Sequence, residues 1–83
     1  MKTESRARQV LEELARLLDC PAERLSPEAS FHELGVDSLI GMRLIGRLSE
    51  AIGQDIDPLA VLDHPSIIEL GHYLDQQFGP LER

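Results

Sequence analysis

Apolar residues recur at the helical period in three stretches of this chain, and prolines or glycines close each one. Between Thr3 and Leu18, a helical wheel gathers Ala7, Val10, Leu11, Leu14, Ala15, Leu17 and Leu18 into one arc. Arg8, Gln9, Glu12, Glu13 and Arg16 fill the rest of the wheel. Thr3 or Ser5 can cap the start, and Pro21 prevents simple continuation beyond Cys20. The second stretch, Asp37 to Ile52, opens on a natural N-cap and stops at Gly53. Leu44, Ile45, Leu48, Ala51 and Ile52 share its core face. A short third helix starts at Asp57-Pro58, takes its apolar contacts from Leu59, Val61 and Leu62, and breaks at His64-Pro65. Ser66 and Glu69 have capping-box spacing and open a fourth helix that runs to about Phe78, before Gly79-Pro80. Ile67, Leu70, Gly71, Leu74 and Phe78 form its buried stripe. There is no internal repeat and no alternating strand pattern. The expected fold is all-α, a four-helix bundle with three longer helices, a short third helix and a long first loop. The expected domain covers residues 1–78, with a C-terminal tail over 79–83.

The long connection from Asp19 to Val36 is unusual in so small a domain, and such loops are often functional. Ser26-Pro27 is a helix-start signal within it, and Ser30 with Glu33 repeats the capping-box spacing. Leu25, Phe31 and Leu34 are expected to pin the loop to the core, and Gly35 frees the backbone for a turn.

A chain of 83 residues has room for one domain and a small core, not for a water-excluding catalytic cleft. Its 15 acidic and 8 basic residues give a formal net charge of −7. That balance excludes nucleic acid and disfavours anionic membranes, while by overall charge it favours a basic protein partner. Cys20 is the one cysteine, so no internal disulfide can form, which suits a reducing cytoplasm. No apolar run is long enough to span a bilayer. Met1 leads straight into a charged stretch, which argues against a signal peptide and favours a free-standing protein.

Ser38 follows the Asp37 cap at the end of the long loop. A helix N-terminus presents unpaired N–H groups and partial positive charge, so a phosphate ester on this hydroxyl would sit at a site suited to an anion. Local capping alone also places serines here. Leu39 falls opposite the core face of the second helix, with Ile40 and Met42 on its flanks. An apolar surface beside a candidate attachment serine reads as a docking patch. A catalytic serine is disfavoured: Gly35-Val36-Asp37-Ser38-Leu39-Ile40-Gly41 lacks the nucleophile-elbow pattern. His32 lies in the loop, His64 before a proline and His72 on the exposed side of the fourth helix. Cys20 reads as a small core or rim residue.

The segment from Phe31 to Leu39, with Leu34-Gly35 before Asp37-Ser38-Leu39, resembles the attachment motif of acyl carrier proteins. The resemblance continues through Arg43-Leu44, Arg47-Leu48, Leu62-Asp63-His64-Pro65-Ser66-Ile67 and Glu69-Leu70, nearly the whole chain. It implies that a phosphopantetheinyl transferase, using magnesium, moves 4'-phosphopantetheine from coenzyme A onto Ser38. Asp37 would orient the site. Leu39, Met42, Arg43 and Arg47 would contact partners: acyl-loading, condensing and downstream enzymes of a biosynthetic assembly line. The protein would be a cytoplasmic monomer without catalytic activity, serving polyketide synthesis. A peptidyl or aryl carrier of a nonribosomal synthetase is the alternative within the class. An unmodified helical interaction module is the alternative outside it. The exposed face of the second helix departs from the usual acidic pattern of free-standing fatty-acid carriers, because it carries Arg43 and Arg47 four residues apart.

Overall fold

The second and fourth helices begin where a capping side chain of the preceding residue dictates. The computed structural model describes residues 3–82. The outer bounds expected at Met1 and Arg83 lie outside the described residues. Four helices follow in order: α1 (Ala7–Leu18), α2 (Ser38–Ile52), α3 (Ala60–Asp63) and α4 (Ile67–Phe78). They are the expected three longer helices and one short one. Asp37 Oδ1 accepts from the Ile40 N–H at 2.9 Å and caps α2, and Gly53 ends it in the left-handed conformation. Ser66 Oγ caps α4 by accepting from the Glu69 N–H at 3.1 Å.

α1 is shorter than its apolar pattern suggests. It starts at Ala7 rather than Thr3, because the preceding residues are engaged by the other end of the chain. Thr3–Glu4 forms a strand, β1, antiparallel to β2 at Leu81–Glu82, with Thr3 opposite Glu82. Two residues per strand are too few to show alternation, so the pattern carries no trace of this pairing. Asp75 of α4 completes the start of α1. Its carboxylate accepts from Ser5 Oγ at 2.8 Å and from the Arg6 N–H at 2.7 Å. Ser5 Oγ in turn accepts from the Ala7 N–H at 3.1 Å, so Ser5 does act at this helix start. At its other end α1 stops at Asp19, which turns left-handed (φ 53°), two residues before Pro21.

The core is one cluster. Val10 and Leu14 of α1, Leu44 and Leu48 of α2, and Leu70 and Leu74 of α4 are fully buried. Each such side chain withdrawn from water contributes about 1.5–3 kcal/mol. Leu25 and Phe31 are buried and pin the long loop, and Leu34, partly buried, packs against the same core. At Gly71 α1 comes close to α4, with the backbone of Ala7 directly over the glycine. Three expectations need correction. Ala51 is exposed, because the α2 core face is narrow at its C-terminal end. Leu59 and Leu62 are 58% and 74% exposed. A single turn of helix can bury one side, and in α3 that side is taken by Ala60, with Val61 partly buried beside it. Asp57 does organise the start, its Oδ1 accepting from the Leu59 N–H at 2.9 Å, but regular helix begins at Ala60.

The long loop contains a 3-10 turn at Ala22–Arg24 and a closed capping box at Ser30–Glu33. The Ser30 N–H donates to Glu33 Oε1 at 2.9 Å, and the Glu33 N–H donates to Ser30 Oγ at 3.1 Å. Its exit is tied to the start of α4, the Phe31 N–H donating to the Pro65 carbonyl at 2.7 Å. Gly35 makes the final turn at φ 84°. The Ser30 backbone N–H, and then its side chain, hold the Glu33 carboxyl below its ordinary value of 4.5. A carboxyl lowered by folding stabilises above its unfolded value and loses that contribution as pH falls through the lowered one. The Ser30 amide resonance should therefore titrate with a midpoint below 4.5. In Glu33→Gln, which keeps an acceptor oxygen, it should stay fixed. A midpoint at or above the ordinary value would mean the box is open in solution.

Candidate functional site

Ser38 is the first helical residue of α2, and it is exposed. Three local features place it there. Gly35 turns the loop, Val36 anchors the chain by donating its N–H to the Phe31 carbonyl at 2.9 Å, and Asp37 caps the helix. The Ser38 hydroxyl thus stands at the positive end of a 15-residue helix.

Beside it runs an apolar groove of about 560 Å³ between α2, α3 and the loop. Val36, Met42, Pro58, Leu59, Val61 and Leu62 line its apolar walls, with Ser38 and Asp37 at its edge. Gly41 makes its floor: a Cβ there would already touch Val61 Cγ1 at 3.5 Å. The groove is the part of the site that the periodicity of the sequence did not reveal. The available signal was α3 itself, a short segment between Pro58 and Pro65 with more apolar residues than one turn can bury.

The other residues singled out above fall as follows. Leu39 and Met42 are 61% and 66% exposed, on the outer face of α2. Ile40 instead leans into the core. Arg43 is exposed and makes no ion pair among the described residues. Arg47 reaches toward α1, its Nη1 3.9 Å from Glu13 Oε1, an oxygen that also takes Arg16 Nη1 at 3.3 Å. Half-exposed pairs of this kind contribute little, about 0–1 kcal/mol. His32 is exposed and borders the same groove as Ser38, with no hydrogen bond to it among the described residues. His64 is occupied elsewhere, stacked on Tyr73 with ring centroids 4.4 Å apart. Cys20 is half-buried against the core, at the rim as expected. No described helix is long and apolar enough to cross a membrane. The described residues hold no cluster of side chains that could bind a metal ion.

The four-helix scaffold matches that of solved carrier domains. The free-standing peptidyl carrier protein of an Acinetobacter baumannii secondary metabolic pathway superposes with a TM-score of 0.81 at 22% identity, over 86% of this chain and 89% of that one. The A1-type acyl carrier domain from module 5 of MLSA1 superposes with a TM-score of 0.78 at 30% identity, covering 87% of this chain and 73% of that one. In sequence, the non-reducing polyketide synthase pks27 of Aspergillus flavus is 43% identical over 56 residues, 68% of this chain. The chain spans only about 3–4% of the length of such synthases.

The profile of the phosphopantetheine attachment site family matches residues 8–74, and the chain belongs to that family. It is a carrier domain of the phosphopantetheine type, homologous to the carrier domains of polyketide synthases. Its prosthetic group is 4'-phosphopantetheine, and members of the family carry substrates without catalysing reactions on them. The residues present suit that group. A serine oxygen open to solvent can accept the phosphate, the helix N-terminus favours the resulting negative charge, and the groove offers apolar cover alongside.

Proposed function

We propose that Ser38 Oγ is the attachment atom and that the domain presents acyl intermediates to the enzymes of a polyketide assembly line. The observation that carries this reading is the position of the hydroxyl: exposed, first in α2, and at the edge of the groove. In loading by a separate transferase, a new bond forms between Ser38 Oγ and the phosphorus attached to pantetheine. The pyrophosphate bond of coenzyme A breaks, adenosine 3',5'-bisphosphate leaves, and a base on the transferase takes the hydroxyl proton. Once attached, the group supplies a terminal thiol that holds the acyl cargo as a thioester.

The chain's own residues hold and present that tether. Asp37 fixes the first turn of α2, so the attachment point is rigid while the arm is free. Tethering raises the local concentration of cargo at each partner's active site without adding a contact. Leu39, Met42, Arg43 and Arg47 form the outer surface that partners meet, namely acyl-loading, condensing and downstream enzymes. A cytoplasmic monomer fits this role, since each partner must reach the same face in turn.

The test is intact mass after incubation with coenzyme A, magnesium and a broad-specificity transferase, followed by mapping of the modified peptide. One phosphopantetheine on the peptide containing Ser38 supports the reading. An unmodified chain, or modification at Ser26, Ser30 or Ser49, defeats it.

Asp37→Ala should cost about 1 kcal/mol of stability through the lost cap. Loading should slow because the first turn of α2 frays. Asp37→Asn keeps a capping oxygen and should recover most of the stability, as read by urea unfolding. If Asp37→Ala unfolds at the same urea concentration as the parent, the cap does not hold this turn.

A further inference from the structure

Gly46 stands in the middle of α2, open to solvent, and nothing within the domain calls for a glycine there. A Cβ at this position would meet no atom within 4 Å, and the backbone is not left-handed. Gly41 and Gly71, by contrast, each sit against a neighbouring segment. Glycine inside a helix is among the least favourable choices, so its presence on a free face points to something outside the domain.

The surroundings say what that is. Leu39, Met42 and Gly46 follow one another at i, i+3 and i+7, the spacing by which one helix packs on another. A missing side chain in such a row lets a second helix approach closely. Arg43 flanks the row with no ion pair among the described residues, and Arg47 follows one turn later, half-exposed, sharing the Glu13 carboxylate at 3.9 Å with Arg16. Glu50 closes the row. α2 thus holds two arginines and one glutamate on a chain whose net charge is −7.

We propose that this face seats a carboxylate-bearing helix of a partner enzyme. That helix packs on Leu39 and Met42, crosses close over Gly46, and sets its acidic groups against Arg43 and Arg47. The proposal rests on the carrier reading of Ser38, whose tether must reach the same partner. Net charge by itself points to a basic partner. At contact, local charge decides, because exposed charges farther away than about 8 Å are screened at physiological salt.

Two synthetic helical peptides with one Ala/Leu seam test this, the first with Glu flanking the seam and the second with Lys. Each is titrated into the ¹⁵N-labelled, phosphopantetheine-loaded protein. The Glu peptide should shift the Gly46 amide saturably and bind more weakly as salt rises. Its affinity should fall at least tenfold both in the Arg43→Glu/Arg47→Glu double variant and in Gly46→Gln. The Lys peptide should leave Gly46 unmoved. Gly46→Ala should raise the unfolding midpoint by about 4–8 °C, which shows that the glycine is not kept for stability. Preference for the Lys peptide, no shift at Gly46 with either, or unchanged affinity in Gly46→Gln overturns the docking proposal and leaves the attachment site intact. Failure to load Ser38 defeats the carrier reading itself, whatever the peptides do.

Discussion

Ser38→Ala should abolish phosphopantetheine loading completely while leaving the domain folded. The effect is all-or-none because the substitution deletes the one oxygen that can form the ester. The structural cost should be small. Ser38 is exposed, its hydroxyl has no hydrogen-bond partner among the described residues, and Asp37 rather than Ser38 caps the helix. Substitutions at such sites change stability by about 0.5 kcal/mol or less. Circular dichroism and urea unfolding of the variant should overlay those of the parent, with intact mass showing no adduct after exposure to coenzyme A and transferase. An adduct on the variant would move the attachment point to another hydroxyl. A variant that fails to fold would make Ser38 a structural residue.

Gly71→Ala should be the most damaging glycine-to-alanine substitution in this chain. The new Cβ would lie 2.6 Å from Ala7 Cβ, and the backbone N and Cα of Ala7 are closer still. A long side chain could swing aside, but backbone cannot move without prying α1 from α4. Overpacking ordinarily costs about 1–3 kcal/mol, and contact with backbone belongs at or above the top of that range. For a domain this small, a loss of about 3 kcal/mol corresponds to roughly 12–24 °C in the unfolding midpoint. Set against a total stability of about 5–15 kcal/mol, that loss removes roughly a fifth to three fifths of the margin. Gly46→Ala is the matched control, the same methyl group placed in open space. A midpoint for Gly71→Ala within about 4 °C of the parent would mean that the two helices separate at little expense.

The helices α2 and α4 were readable because local chemistry marks their ends. Asp37, Ser66 and the Ser30–Glu33 box cap where their spacing says they should, and Gly35 and Gly53 take the conformations that glycine permits. Leu39 and Met42 were readable as surface residues from the wheel of α2 alone. Three features were not readable, because they depend on which segments meet in space. The β1–β2 pairing joins residues some 80 positions apart and is too short to impose a pattern. Asp75 looks like any polar residue on α4 until the start of α1 is brought to it. Leu59 and Leu62 are apolar and lie in a helical turn, so the expectation of burial was reasonable. α3 nonetheless presents Ala60 inward, and the two leucines form one wall of the groove beside Ser38. Apolar character alone cannot separate a core contact from the lining of a surface groove.

The antiparallel register that sets Thr3 against Glu82 makes the described chain nearly a closed ring. A circular permutant should therefore fold: Glu82 would be joined to Thr3 through a short Gly-Ser linker and the backbone reopened at the exposed Gly53–Gln54 turn. All four helices and the Ser38 hydroxyl would survive the rewiring, which makes the domain a natural cassette for insertion into a loop of an unrelated host.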